Sequence, residues 1–246
     1  MFDHKIYEEN LKSKVFGRSF KYFKKIKSTN DEAKNNLNAV HGHLIFTNNQ
    51  TDGKGRRNNK WFSLPNKSLT FSIMLNKNEI INKDILPLLT SVAIVKAIKK
   101  KININCKIKW PNDIMLNDKK IGGVLIESKS NYYIVGIGLN INHRENEFNG
   151  DISKIASSIY IHTKTKLKLE KLLANIVNEF ELTIKKDKKN ILEYWLDKCN
   201  HLNKSIKFHR KGKLVSGKFM GINKNGEALI KTNKKIINIS SGVIYT

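Results

Sequence analysis

Four short segments concentrate residue types able to hold anions. The first is Gln50-Thr51-Asp52-Gly53-Lys54-Gly55-Arg56-Arg57. Its glycines let the backbone approach a ligand and turn N–H groups inward, while Lys and Arg add fixed positive charge. Such a loop suits a phosphate or a carboxylate. It is not a P-loop, which would end in Gly-Lys-Ser/Thr, nor a dinucleotide fingerprint, which needs Gly-x-Gly-x-x-Gly opening a helix. Alone, it also reads as a solvated basic turn. The second segment, Lys109-Trp110-Pro111-Asn112-Asp113, joins a cation, a large aromatic, a rigid turn, an amide and a carboxylate. A packing corner would account for Trp and Pro. A ligand site would account for the whole, with Lys109 at the mouth of a sheet to meet an anion. The third and fourth, Lys120 to Glu127 and Gly136 to Asn142, carry paired glycines inside apolar strands. Glycine weakens a strand, so each pair marks either a bulge or a ligand lying close to the backbone.

The elements that position these segments follow from periodicity. Ser28-Thr29-Asn30-Asp31-Glu32 has the form of a helix start, a capping side chain followed by acids. Leu44-Ile45-Phe46 begins a strand leading into the basic loop. Leu69, Phe71, Ile73 and Leu75 alternate with Thr70, Ser72 and Met74, the period of a strand. Ile85 to Ile98 follows the helical period, with Pro87 tolerable in its first turn. Ile114-Met115-Leu116 and Val124-Leu125-Ile126 flank a turn at Asn117-Asp118, a hairpin. Tyr132 to Ile141 is a further β-branched strand. Residues 142–153 offer few apolar anchors and read as a mobile loop. Leu169 to Ile184 is an amphipathic helix, and a second spans Ile191 to Cys199. From Ser205 the pattern turns to short strands with an Asn225-Gly226 hairpin signal. This order predicts an α+β unit over residues 1–200, a mixed sheet with helices packed on it, and a small all-β module over 201–246.

The chain has 246 residues and a formal net charge of +25. The charge looks like a nucleic-acid signature, but of 46 basic residues only five are arginine, leaving 41 lysines beside 31 asparagines. That excess of Lys and Asn, with abundant Ile, is what AT-rich coding sequence produces whatever the function. A polyanion site favours the arginine fork. The adjacent pair Arg56-Arg57 therefore stands out in so arginine-poor a chain. No run approaches the ~18 apolar residues of a membrane helix, and the start lacks a signal-peptide core. Two cysteines, Cys106 and Cys199, cannot form a disulfide framework or a cysteine-rich zinc site. The expectation is a soluble, cytoplasmic protein without a membrane partner.

Taken together, the four segments resemble the biotin protein ligases. That family carries a Gly-Arg-Gly-Arg-Arg-Gly-x-x-Trp loop, a Lys-Trp-Pro-Asn-Asp block, a Lys-x-x-Gly-Ile-Leu-x-Glu strand and a Gly-x-Gly-x-Asn strand. Here they stand as Gly53 to Trp61, Lys109 to Asp113, Lys120 to Glu127 and Gly136 to Asn140. Ser28-Thr29-Asn30 matches the family's tripeptide, and Ser216 to Tyr245 is similar to its C-terminal SH3-like barrel. The implied fold is the class II synthetase-like biotin–lipoate ligase fold followed by that barrel. The implied chemistry is a two-step ligation. Biotin's carboxylate attacks the α-phosphate of MgATP to give biotinyl-5′-AMP and pyrophosphate; a lysine amine of an acceptor protein then displaces AMP. Neither step needs a protein nucleophile; both need crowded anions neutralised and water excluded.

By the same resemblance, Ser28, Thr29, Asn30 and Gln50 hold the uncharged ureido ring. Gly53, Lys54, Gly55 and Arg56 fold over biotin's tail and the phosphate. Lys109 bridges biotin's carboxyl and the α-phosphate, and with Arg56 is the catalytic pair. Arg56, Arg57, Trp61, Lys109, Asn112, Lys120 and Asn140 serve ATP and the adenylate, and Asp113 handles the incoming amine. No metal-binding residues are identifiable, so Mg2+ is expected with ATP. The implied acceptor is the biotin carboxyl carrier domain of a biotin-dependent carboxylase, and a homodimer is possible because many relatives pair through the central sheet. Some members carry an N-terminal helix-turn-helix and repress their own operon; the 27 residues before Ser28 are too few for it, so no specific DNA binding is expected. The chain departs from the family at Lys54, Asn58 and Asn59, and lacks a Glu after Gly242. The alternatives are a lipoate or octanoate ligase or transferase of the same fold, with Cys106 the only cysteine for a transferase, and a basic nucleic-acid-binding module.

Overall fold

The computed structural model describes residues 2–36, 38–210, 213–233 and 235–245, with the side chain of Asn58 outside the description. The chain runs α1 (His4–Asn10), β1 (Phe20–Phe23), α2 (Thr29–Asn35), β2 (Leu44–Thr47), the two-residue strands β3 (Gly53–Lys54) and β4 (Lys60–Trp61), β5 (Ser68–Asn76) and α3 (Leu86–Ile102). It continues through β6 (Lys107–Lys109), β7 (Asp113–Leu116), β8 (Lys119–Lys129), β9 (Tyr132–Asn140), α4 (Asp151–Ile155), α5 (Ile159–Thr163), α6 (Leu169–Ile184) and α7 (Lys188–Asp197). Five strands close it: β10 (Ser205–Arg210), β11 (Lys213–Ile222), β12 (Ala228–Lys231), β13 (Ile236–Ile239) and β14 (Ile244–Tyr245).

Seven strands form one mixed sheet in the order β1-β2-β5-β9-β8-β7-β6, with β1 parallel to β2 and the remaining pairs antiparallel. Alternation along its strands sends Leu69, Phe71, Ile73, Val135, Ile137 and Leu139 to one face, where they join the main core with α3 and α6. The two helices present matching apolar stripes, Leu89, Val92 and Ile98 on α3 and Leu172, Ile176 and Phe180 on α6. At about 1.5–3 kcal/mol for each fully buried aliphatic or aromatic side chain, this face supplies most of the sheet's stability. The opposite face carries Thr70, Ser72, Gly136, Gly138 and Gly123, and α2 packs on its outer part through Ala33, Ile45, Met74 and Ile134.

The predicted helices over 85–98 and 169–184, the strands at 44–46, 69–75 and 132–141, and the hairpin at Asn117-Asp118 are all present. The turn residues take φ 47° and 59°, the left-handed values a two-residue type I′ hairpin requires. Two readings change. The residues before Ser28, to which periodicity assigned no element, hold α1 and the edge strand β1, anchored by Phe2 and Tyr7 against Phe46 and Phe20. Residues 142–153, read as a mobile loop, are tied down. His143 is fully buried, stacks on Phe148 with ring centroids 5.1 Å apart, and meets Ser68 Oγ at 3.1 Å, while Asn142 bonds Leu167 in both directions. Phe148 is the apolar anchor; Asn142 and His143 are polar, so apolar patterning misses them.

The last five strands form a second antiparallel sheet, β13-β12-β11-β10-β14, as a small SH3-like barrel. Ile206, Phe208, Phe219 and Ile230 continue the main core, so the barrel is packed onto the larger unit. Trp110 Nε1 donates to Gly226 O at 3.0 Å across this junction. No helix is long and apolar enough to cross a membrane among the described residues.

Candidate active site

One register row crosses six strands on the polar face: Thr47, Thr70, Gly138, Gly123, Asp113 and Lys109. The next row holds Ile45, Ser72, Gly136 and Leu125. At about 4.8 Å per strand, Lys109 stands roughly 14 Å from Gly138, the length of an extended ligand. A cavity of about 330 Å³ lies over these rows. Ser28, Thr29, Asn30, Gln50, Lys54, Gly55, Arg56, Trp61, Lys109, Asn112, Asp113 and Lys120 all line it.

The floor is backbone because nothing larger than hydrogen fits. A Cβ at Gly138 would fall 2.5 Å from the Trp61 ring, and one at Gly136 would run into the Asn30 amide. Gly136 and Gly138 therefore serve close approach, whereas beside Gly122 the β7–β8 register shifts, as at a bulge. Around them the polar groups interlock. Ser28 caps α2 by accepting from Asp31 N at 3.3 Å, which fixes the first turn so that Thr29 and Asn30 face inward. Thr29 donates its N–H to Gln50 Oε1 at 2.9 Å, with its hydroxyl 3.2 Å from the same oxygen. Ser72 Oγ lies 2.6 Å from Asn30 Oδ1 and 2.8 Å from Thr29 Oγ1. Asn30 Nδ2 donates to Glu127 at 2.8 Å. Trp61 Nε1 is buried with no hydrogen-bond partner among the described residues, a donor left for a ligand.

The other end of the cavity is cationic. Arg56 donates to Asn112 Oδ1 at 3.1 Å and to Gly242 O at 3.3 Å, so the barrel helps aim the guanidinium. Asn112 in turn donates to Val124 O. Lys54 pairs with Asp31 at 2.6 Å. Burial would raise the Asp31 carboxyl, but hydrogen bonds from Lys54 and Lys34 hold it below the ordinary value. Lys120 pairs with Asp113 at 2.6 Å and reaches back over the Trp61 ring, 5.8 Å from its centroid. Lys109 faces Asp113 across the β6–β7 pair and has no ion-pair partner within 4.0 Å among the described residues. Burial lowers the Lys109 ammonium from lysine's ordinary value, Asp113 opposes that, and Lys120 adds to it. With Lys54 matched by Asp31 and Lys120 by Asp113, Arg56 and Lys109 leave the cavity short of negative charge among the described residues, which an anionic ligand would supply.

Three residues singled out from sequence stand outside the lining. Arg57 takes φ 56°, which turns it away from Arg56 and leaves it exposed. Gly53 lies behind the wall, where a Cβ would meet Trp61 O at 2.6 Å and Gln50 Nε2 at 2.7 Å. Asn140 ends β9, donates to Ser157 O at 3.1 Å, and keeps a buried Oδ1 without a partner among the described residues. Sequence reasoning gave no role to Ser72, Glu127, Ile155 or the 242–244 stretch. Ser72 carried a signal, being polar in a largely apolar strand, and Glu127 another as the acid that closes the Lys120 to Glu127 motif; Gly242 entered only as the glycine that lacks a following Glu. Asn59 lines the cavity, while the side chain of Asn58 lies outside the described residues.

Residues 22–142 match the sequence model of the Biotin/lipoate A/B protein ligase family. The chain is 30% identical to the bifunctional ligase/repressor BirA of Bacillus subtilis, over 95% of this chain and 76% of the relative. The chain belongs to the biotin protein ligase family. Its fold superposes on the biotin protein ligase of Aquifex aeolicus in complex with biotin and ATP at a TM-score of 0.84 and 30% identity, covering 92% and 97% of the two chains. The Leishmania major biotin protein ligase in complex with biotinyl-5-AMP shares the fold at a TM-score of 0.65 and 22% identity, covering 91% and 99%.

Proposed function

We propose that this chain is an ATP-dependent biotin–protein ligase that forms biotinyl-5′-AMP from biotin and MgATP and transfers biotin to a carrier lysine. One observation carries the reading: a polar but uncharged pocket and a cationic pocket share one glycine floor inside one cavity. Ser28, Thr29, Asn30 and Gln50 offer donors and acceptors to an uncharged ureido ring. Lys54, Arg56, Lys109 and Lys120 meet the carboxylate and the α-phosphate. Drawing these two anions together is the main electrostatic barrier, and fixed cations lower it in a water-poor site. In this reading Asp113, between Lys109 and Lys120, receives the proton of the attacking amine. Asn140 stands outside the cavity lining; its Oδ1, without a partner among the described residues, is the acceptor this reading assigns to the exocyclic amine of adenine.

Among the described residues no three His, Cys, Asp or Glu side chains cluster to hold a metal. Magnesium enters as part of MgATP. The acceptor in this reading is the biotin carboxyl carrier domain of a biotin-dependent carboxylase, and the reaction takes place in the cytoplasm, where ATP and the carrier meet. Residues 1–200 form the catalytic unit and 201–246 the barrel. Specific DNA binding is not part of this reading.

Cys106 weighs against an octanoyl transferase. It is fully buried away from the cavity, and burial pushes its thiol up to about 12, far from a thiolate nucleophile at neutral pH. The test is exchange of labelled pyrophosphate into ATP with biotin, lipoate or octanoate, and Lys109→Ala as control. The expected result is exchange with biotin alone, lost in the variant. Exchange with lipoate would keep the fold and overturn the substrate; none with any acid would overturn the ligase reading.

A further inference from the structure

Glu127 ends the ligand-facing side of β8, outside the cavity lining, and no step of the ligation calls for it. Its two carboxylate oxygens are both engaged: Oε1 takes Lys34 Nζ at 2.7 Å and Oε2 takes Asn30 Nδ2 at 2.8 Å. Asn30 is buried, lies against Gly136 in the floor, and receives Ser72 Oγ on its Oδ1 at 2.6 Å. An asparagine amide can be turned end for end at little steric cost, and the turn exchanges a donor for an acceptor. A carboxylate accepts only, so Glu127 forces Nδ2 to its own side and Oδ1 toward Ser72. That choice propagates: with its proton on Asn30, Ser72 Oγ can only accept from the Thr29 hydroxyl, which leaves the Thr29 N–H to hold Gln50 Oε1.

We infer that Glu127 is a positioning residue that sets the donor–acceptor order of the ureido pocket through Asn30, and that Lys34 holds its charge without taking part. The inference rests on the biotin reading of the cavity. A urea group has one acceptor and two donors in fixed order, so a reversed Asn30 would face it with like polarity, donor to donor or acceptor to acceptor.

The chemistry makes an unusual prediction about Glu127→Gln. A glutamine has one oxygen for two partners that both donate. Lys34 is a cation and takes that oxygen, so the glutamine NH2 faces Asn30 and turns it over. The KM for biotin in pyrophosphate exchange should then rise roughly tenfold or more, the scale of a lost charged hydrogen bond, with KM for ATP unchanged. Lys34→Met should leave the KM for biotin within about twofold, because Glu127 still accepts from Asn30. The double variant Glu127→Gln/Lys34→Met should regain most of the lost affinity, since the glutamine oxygen is then free for Asn30.

The outcomes separate cleanly. If Glu127 were only an ion-pair strut between α2 and β8, Lys34→Met would raise KM as much as Glu127→Gln and the double variant would not recover; that overturns the inference. Unchanged KM for biotin in Glu127→Gln overturns it as well. Absence of biotin-dependent exchange in the wild-type chain would instead overturn the ligase reading beneath it. Melting curves on all three variants confirm that folded protein is compared.

Discussion

The two faces of the seven-stranded sheet use the same strands for opposite ends. On the dry face, Phe71, Ile73, Val135 and Ile137 interdigitate with α3 and α6, and each is buried by neighbours of this chain. On the ligand face, one residue away in each strand, Thr70, Ser72, Gly136 and Gly138 are equally inaccessible but hold a hydrogen-bond network and a bare backbone floor. The period of two separates them completely. Stability is therefore concentrated on one face and specificity on the other, and substitutions a single position apart should fail in different ways.

The largest effect should come from Gly138→Val. Its side chain would occupy the floor against Trp61, so biotin-dependent exchange should fall below detection while a dry-face count of contacts is untouched. Calorimetric titration with biotin and a melting curve on the same sample check both halves. Phe71→Ala, next in the sequence register but facing α3, should do the reverse. It should cost about 3–5 kcal/mol of stability, read by urea denaturation, and leave the KM for biotin close to wild type in the folded fraction. A Phe71 variant that keeps its stability but loses biotin would erase the distinction between the faces.

Lys109→Ala should slow adenylation by roughly two to three decades, about 3–4 kcal/mol, with the fold intact. Lys109→Arg should recover only part of the rate, because the fork does not replace a point charge opposite Asp113.

The smallest effect lies far from the site and tests what holds the N-terminal segment. Glu181 on α6 accepts from Ser13 Oγ and from the N–H groups of Lys14 and Val15 at 2.9 and 3.0 Å. Burial would raise its carboxyl, but Lys185 and these donors hold it down to about 2. A carboxyl lowered on folding stabilises the folded state above its ordinary value and loses that contribution as pH falls. Stability from Glu181 should thus be complete above about pH 4.5 and decline toward pH 2, and Glu181→Gln should flatten that part of the curve in melting experiments.

Much of this division was legible in the sequence. The apolar periods of α3, α6, β5 and β9 announced the dry face, because burial against regular elements leaves a regular trace. The Gly and Lys-Trp-Pro-Asn-Asp segments announced the cavity, because close approach and fixed charge demand rare residue types. What could not be read is what depends on distant pairing. The alternation of β5 reads as core against solvent, whereas Thr70 and Ser72 are covered, and only the register with Gly138 and Gly136 shows why. The separation of Arg56 from Arg57 follows from one left-handed residue. The hold of Gly242 O on Arg56 joins positions far apart in the chain through a backbone atom that no side-chain pattern encodes. His143 and Phe148 order a stretch that its polarity marked as mobile.

The most direct test is a crystal structure with biotinyl-5′-AMP bound. The account predicts the ureido ring among Thr29, Asn30 and Gln50, the mixed anhydride beside Trp61 and over Gly123, and the phosphate between Arg56, Lys109 and Lys120. An adenylate bound elsewhere, or one whose ureido ring does not touch the α2 residues, would contradict it.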